Sequence, residues 1–288
     1  MPTEFTIARA LVEAAQILRR AGVEEARREA ASLLEHITGH DRTFLITSAE
    51  TALAPSDVSR LRGLVERRAA GEPLQYITGH QEFYKLDFEV TPDVLIPRPE
   101  TELLVETALD LLDEWDGPTF ICDVGTGSGC IAVSLLHELP LARAIGLDIS
   151  QPALRVAARN AARAGVNERL SLVVSDGLAA LDPARARFTM IVSNPPYIAE
   201  DALAGLQREV RDHEPRVALT PGGDGLRIIR ALVADAPRFL DSGGHLLIEI
   251  GFDQHEAVKK LIDPRVWELL DIHEDLQGIP RTVALMKI

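Results

Sequence analysis

The sequence predicts an α/β protein: a parallel sheet covered by helices on both faces, preceded by a small all-helical domain and a β-hairpin linker. Three observations carry this reading. Apolar residues recur at helical spacing up to residue 78, an aromatic and alternating stretch follows, and from residue 98 onward strand-like and helix-like segments alternate. A chain of 288 residues also exceeds the usual size of one compact domain, which favours two units. The boundaries follow as residues 1–78 for the helical domain, 79–97 for the linker and 98–288 for the α/β domain.

Residues 5–37 place Ile7, Leu11, Ala14, Ala15 and Leu18 on one helical face, with Gly22 and Gly39 as stops. Residues 53–70 repeat the pattern after Pro55, where Ser56 or Asp57 can cap the next helix. Phe83, Tyr84, Phe88 and Val90 alternate around Lys85 and Asp87, as in a short hairpin. Pro97 and Pro99 bracket Arg98 and introduce a helix over 103–115. Strands are then expected at 119–124, 144–148, 170–175, 188–193 and 245–250, with helices at 128–138, 152–164 and 253–262. Residues 268–273 and 282–288 read as closing strands.

The composition excludes several functions. A net charge of −14 is the wrong sign for gripping a phosphate backbone, so no direct nucleic-acid partner is expected. Residues 1–80 hold 10 Lys and Arg against 11 Asp and Glu, so the excess lies in the remainder of the chain. Glu4, Arg9 and Glu13 interrupt the opening apolar residues, and no uncharged run approaches the roughly 20 residues of a membrane span. A cytoplasmic protein without membrane contact is the expectation, and a monomer. Cys122 and Cys130 flank a glycine loop and read as small buried hydrophobes in a reducing compartment. His36 and His40 are separated by Gly39 and lack further ligands, so no metal is expected.

The glycine loop is Gly125, Thr126, Gly127, Ser128 and Gly129, placed between a strand and a helix where a ligand can lie against the backbone. Cys130 occupies the position where the dinucleotide fingerprint G-x-G-x-x-G requires its third glycine, and no G-K-[ST] follows. Asp148 ends the next strand, where a carboxylate can accept both hydroxyls of a ribose. Helix capping ahead of Pro152 is its alternative role. Loop and acid alone leave NAD and S-adenosylmethionine about equal, with a merely structural turn as a third option. Asp123, on the strand edge, could hold the glycines or approach a cationic ligand end. Asp176 closes the third strand and could accept from an adenine amino group, whereas Gly177 beside it cannot stack on anything.

Asn194, Pro195, Pro196 and Tyr197 follow the strand at 188–193. The prolines fix their own φ, extend the residues before them and donate no hydrogen bond, so the loop presents acceptors. The Asn194 side-chain oxygen and the Pro195 carbonyl can each take one hydrogen of a planar NH2 group, and Tyr197 would supply a stacking wall. A proline-rich turn is the plain alternative. The ordered set of glycine loop, strand-end acid and N-P-P-Y argues against it.

With these motifs the chain resembles the HemK/PrmC family, the release-factor glutamine N5-methyltransferases, over essentially its whole length. The likeness extends to Gly71-Glu72-Pro73-Leu74, Leu95-Ile96-Pro97-Arg98-Pro99-Glu100-Thr101-Glu102, Pro221-Gly222-Gly223-Asp224-Gly225-Leu226 and Glu249-Ile250-Gly251-Phe252-Asp253-Gln254. The resemblance implies a helical substrate-recognition domain, a hairpin linker and a Rossmann-like seven-stranded class I methyltransferase domain. It implies S-adenosylmethionine as cofactor and, as partner and substrate, the Gly-Gly-Gln glutamine of class I peptide chain release factors. Gly125 to Gly129 would then surround the methionine part of the cofactor and Asp148 its ribose, with Asp176, Gly177 and Asn194 completing that site. Asn194, Pro195 and Tyr197 would be catalytic, and Asn194 to Tyr197 would hold the amide. Many members carry an aromatic residue where Gly177 stands, so adenine stacking must come from elsewhere or be weaker. Glu100 and Glu102 resemble a stretch beside the cofactor, or are first-turn partners of a helix dipole. N-P-P-Y also suits an N6-adenine methyltransferase acting on flipped bases of DNA or RNA, which the acidic charge disfavours. A non-catalytic cofactor-binding adaptor and a nicotinamide oxidoreductase are the remaining alternatives.

Overall fold

The computed structural model describes residues 5–113, 115 and 117–288. Glu4, counted above among the interrupting charges, and Glu114, in the helix expected over 103–115, lie outside the described residues. The chain divides into two units: Met1–Gly79 with Gln207–His213, and His80–Leu206 with Glu214–Ile288.

In the first unit, the stretch expected to be helical over 5–37 forms two helices, α1 (Ile7–Arg20) and α2 (Ala26–Thr38). Gly39 ends α2 at φ 69°, a left-handed conformation that glycine adopts without a Cβ clash. Then come α3 (Arg42–Thr47), α4 (Pro55–Ala69) and α5 (Leu74–Thr78). Neither Ser56 nor Asp57 caps α4, contrary to the expectation. Ala54 takes the cap position and Pro55 supplies a preset φ for the first turn, leaving Ser56 and Asp57 already inside the helix. Leu18, Leu33, Leu34, Leu45, Leu61 and Val65 form the core. The buried Arg68 bridges Glu29 (2.5 Å) and Glu209 (2.7 Å), tying the returning segment 207–213 to these helices.

The second unit opens with the hairpin β1 (His80–Phe83) and β2 (Leu86–Glu89). Its two turn residues, Tyr84 and Lys85, sit at φ 48° and 62°, and the Tyr84 N–H donates to Glu102 Oε1 at 2.7 Å. In order follow α6 (Glu102–Asp113), β3 (Phe120–Val124), α7 (Cys130–Glu138), β4 (Arg143–Asp148), α8 (Gln151–Arg163), β5 (Leu170–Val174) and β6 (Phe188–Ser193). Next are α9 (Arg208–His213), which belongs to the first unit, then α10 (Arg216–Leu219), α11 (Arg227–Asp235), β7 (Leu240–Glu249), α12 (His255–Lys259), β8 (Trp267–Glu274) and β9 (Pro280–Lys287).

The seven-stranded sheet runs β5-β4-β3-β6-β7-β9-β8. It is parallel from β5 to β7, and β9 is antiparallel to both β7 and β8. The sheet is therefore mixed rather than wholly parallel. The short link between β8 and β9 cannot carry a crossover and imposes a hairpin. Alternating residues feed two cores: Ile121, Val192 and Leu247 face α6 and α7, whereas Cys122, Ile191 and Leu246 face α11. Strand β3 is followed by β4 on one side and later by β6 on the other. That reversal is the topological switch point, where open α/β sheets form their crevice. No helix among the described residues is long and apolar enough to cross a membrane.

Candidate functional site

A cleft of about 170 Å³ opens over the carboxyl ends of β3, β4, β5 and β6. The loop after β3 turns sharply: Gly125 N and Thr126 N both donate to Leu147 O (2.8 and 2.9 Å), and Gly125, Gly127 and Gly129 have positive φ. Gly125, Thr126, Gly127 and Ser128 line the cleft. Gly129 stands apart from that wall: a Cβ there would lie 3.1 Å from Ala157 Cβ, so its place is the close packing of α7 on α8. Thr126 is buried, and its hydroxyl donates to Asp123 Oδ2 at 2.6 Å. The same oxygen accepts from Ala132 N at 3.3 Å, so Asp123 holds the glycine loop against the start of α7, while its other oxygen, Oδ1, is buried without a hydrogen-bond partner among the described residues. Burial raises the Asp123 carboxyl to about 7, against the lowering effect of those two hydrogen bonds. Gly146 was not foreseen: a Cβ on it would sit 2.8 Å from Leu172 and 3.1 Å from Thr126, so β4 must be bare where Thr126 lies over it.

Asp148 accepts from Gly127 N with Oδ2 (2.9 Å) and from Ser150 N with Oδ1 (2.8 Å). Burial raises its pKa, and N–H donors from the chain oppose the rise. It does not cap α8, since Ser150 does, accepting from Ala153 N at 3.2 Å. Each Asp148 oxygen keeps a lone pair for a hydroxyl donor. Asp176 lies exposed on the cleft rim just beyond β5, and a Cβ at the neighbouring Gly177 would meet nothing within 4 Å. The apolar surface that Gly177 lacks is offered by Ile149, 56% exposed on the cleft wall next to Asp148.

Asn194, Pro195 and Pro196 form the opposite wall. The preceding Ser193 donates to Val124 O at 2.7 Å, joining the bases of the two loops. Asn194 Nδ2 donates to Thr101 Oγ1 (2.9 Å), and the Thr101 hydroxyl donates to Glu249 Oε2 (2.7 Å). The Tyr197 hydroxyl donates to Glu249 Oε1 at 3.3 Å. Tyr197 lies outside the cleft wall, its ring packed against the α11 core. Its carbonyl accepts from Gln254 Nε2 at 2.9 Å, and a Cβ on Gly225 would come within 2.2 Å of that oxygen. Burial lifts the Glu249 carboxyl to about 7 and, with the Glu249 charge, raises the Tyr197 phenol. Glu102 secures the hairpin turn, Glu100 and Glu102 each stand in a first helical turn, and neither lines the cleft.

Thr101, Gly225, Glu249 and Gln254 were missed individually, although all lie in segments quoted above for their likeness. A threonine and a glutamate that are 2% and 1% exposed are the signal that could have found them, and burial is not visible in spacing. Chemically, the cleft offers carboxylate acceptors and an apolar wall at the β4–β5 side and a fixed carboxamide at the β6 side. Among the described residues no His, Cys, Asp or Glu group is arranged to hold a metal.

Residues 9–79 match the family model described as the PrmC N-terminal domain, and residues 100–224 that of the methyltransferase small domain. A release factor glutamine methyltransferase of Moorella thermoacetica is 48% identical over 258 residues, covering 89% of each chain. One from Burkholderia pseudomallei is 47% identical over 274 residues, 93% of this chain and 94% of that one. A solved methyltransferase from Pyrococcus furiosus shares the fold at a TM-score of 0.50 and 17% identity, over 70% of this chain and 89% of that one. The chain belongs to the release factor glutamine methyltransferases.

Proposed function

We propose that this protein transfers a methyl group from S-adenosylmethionine to the side-chain amide nitrogen, N5, of the glutamine in the Gly-Gly-Gln motif of class I release factors. The observation that carries the reading to this site is the Asn194 carboxamide. Its NH2 gives one hydrogen to Thr101, which turns that end of the amide inward, and its oxygen is taken as the acceptor of a substrate hydrogen. With the Pro195 carbonyl it would take both hydrogens of a planar amide and aim the nitrogen at the donor. Acceptors so placed favour the nitrogen as it gains positive charge, which an amide resists because its lone pair is delocalised.

The residues present fit the cofactor. Gly125 and Gly177 leave open space where a side chain would stand, Ile149 offers an exposed apolar contact for adenine, and Asp148 retains acceptor capacity for ribose hydroxyls. Held there, S-adenosylmethionine would supply an electrophilic methyl: the C–N bond would form as the C–S bond broke, with the electron pair left on sulfur and the nitrogen's proton passing to water. Tyr197 serves as a brace for the loop through its hydroxyl and carbonyl. Asp176 is assigned to the adenine amino group.

The helices of residues 1–78 are assigned to gripping the release factor away from its Gly-Gly-Gln loop, the hairpin of 79–97 to linking, and 98–288 to chemistry. A loop glutamine alone offers too little surface for selectivity. A cytoplasmic monomer acting without nucleic acid accords with the acidic charge.

The test is mass spectrometry of an intact release factor, beside a short Gly-Gly-Gln peptide, after incubation with the protein and isotopically labelled S-adenosylmethionine. Label on the Gly-Gly-Gln glutamine, with higher kcat/KM for the intact factor, is expected. Label absent from that glutamine, or found on adenine of added DNA or RNA, would overturn the reading.

A further inference from the structure

A chain of hydrogen bonds runs from the cleft wall into the protein, from Asn194 Nδ2 to Thr101 Oγ1 to Glu249 Oε2. Its members come from three places, the end of β6, the 3-10 turn Pro99–Thr101 and the last residue of β7. A hydroxyl has one hydrogen, and an ionised carboxylate only accepts. While the Thr101 hydrogen points at Glu249, the hydroxyl can offer Asn194 only a lone pair. The carboxamide must then turn its NH2 inward and its oxygen to the cleft. Were Glu249 protonated, it could donate to Thr101 and free the hydroxyl hydrogen for the Asn194 oxygen. The amide would then be stable turned over, with its NH2 facing the substrate NH2, donor against donor.

We infer that Glu249 is a positioning residue for methyl transfer, acting through Thr101 to set the direction of the Asn194 carboxamide, so that it presents an acceptor to the substrate amide. The inference rests on the amide-transfer reading above. Glu249 also accepts from Tyr197, so one carboxylate braces both ends of the N-P-P-Y loop. The other groups acting on it are Arg281 of β9, which favours its ionised form, and Glu100, which opposes it; the Cys130 thiol, itself raised to about 12 by burial, also senses its charge. Arg281 is shared with Asp275 at 3.1 Å, which moderates its effect. With burial as the dominant influence, Glu249 exchanges its proton near pH 7, within the range an assay can scan.

The test is single-turnover methylation of an intact release factor from pH 6 to 8, with calorimetry of S-adenosylmethionine binding, on the wild type, Thr101→Val, Thr101→Ser and Glu249→Gln. The wild-type rate should fall as pH drops below about 7, where Glu249 gains its proton. Thr101→Val should lose about 10- to 100-fold in rate at pH 8, with KM and cofactor affinity within about twofold, and lose the acid limb. Thr101→Ser, which keeps the hydroxyl, should recover most of the rate and the limb. Glu249→Gln cannot titrate and should also lack the limb, while Asp123 and Asp148 remain intact in every variant. A wild-type acid limb that persists in Thr101→Val and Glu249→Gln, a Thr101→Val variant at wild-type rate, or a loss in cofactor affinity matching the loss in rate would overturn the inference. A wild type that methylates no release factor would instead fail the proposed function itself.

Discussion

The two walls of the cleft are built in different ways. The wall from β3, β4 and β5 is local: Gly125 N and Thr126 N donate to Leu147 O on the neighbouring strand, Gly127 N donates to the Asp148 carboxylate, and Thr126 Oγ1 is clamped only three residues away on Asp123. The wall from β6 is held at long range. Asn194 depends on Thr101, 93 residues earlier, and Tyr197 depends on Glu249 and Gln254, more than 50 residues later. A locally built wall tolerates change elsewhere in the chain. A wall assembled from three distant segments can be disturbed from any of them, and turnover should be more sensitive than cofactor affinity to such disturbance.

The largest expected effect is at the long-range wall itself. Asn194→Ala should lower turnover by about 10²- to 10³-fold, the scale for one preorganised polar group, while calorimetry finds cofactor affinity nearly unchanged. Near-normal turnover would remove Asn194 from the chemistry. Gly225→Ala comes next, because its Cβ would lie 2.2 Å from the Tyr197 carbonyl at φ 80° and must displace the loop. A loss of about 10²-fold in turnover is expected, the scale for a 1 Å misplacement, in a protein whose circular dichroism and cofactor affinity remain close to wild type. Unchanged turnover would mean that the loop tolerates displacement. On the local wall, Asp148→Ala should weaken cofactor binding by about 1–3 kcal/mol, seen by calorimetry, with saturated turnover little altered. Unchanged affinity would break the assignment of Asp148.

The smallest effect is one of stability. The Glu249 carboxyl stands at about 7 in the folded chain against 4.5 when unperturbed, so its contribution to stability is complete below about 4.5 and is lost as pH rises through about 7. Glu249→Gln, neutral at every pH, should therefore gain on the wild type by on the order of 2 kcal/mol between pH 5 and 8, read as a widening difference in Tm. A Tm difference constant with pH would contradict the burial of an ionising carboxyl.

The same contrast decides what could be read from sequence. The glycine loop, Asp148 and N-P-P-Y announce themselves because glycine and proline act on the backbone within a few residues, and the alternation of periods places them at strand ends. Thr101, Glu249 and Gln254 have no such local signature: their roles exist only once β6, β7 and the turn at 99–101 are side by side. Gly146 is of the same kind, required by Thr126 lying across a neighbouring strand. The return of 207–213 to the helical unit is bridged by a buried arginine, Arg68, whose two acidic partners lie 39 and 141 positions away. The antiparallel β9 was equally hidden, since a strand's pattern of side chains does not state its direction. Ser56 and Asp57 misled because a proline had already begun the helix.

Independence of the two walls is measured most directly by a double-mutant cycle on kcat/KM with Asp148→Ala, Asn194→Ala and the double variant. If one wall holds the cofactor and the other orients the amide, the two losses should add to within about 0.5 kcal/mol, as for sites that share no partner. A double variant no worse than Asn194→Ala alone would show instead that both residues serve a single step, and the division of the cleft into a binding wall and a transfer wall would fail.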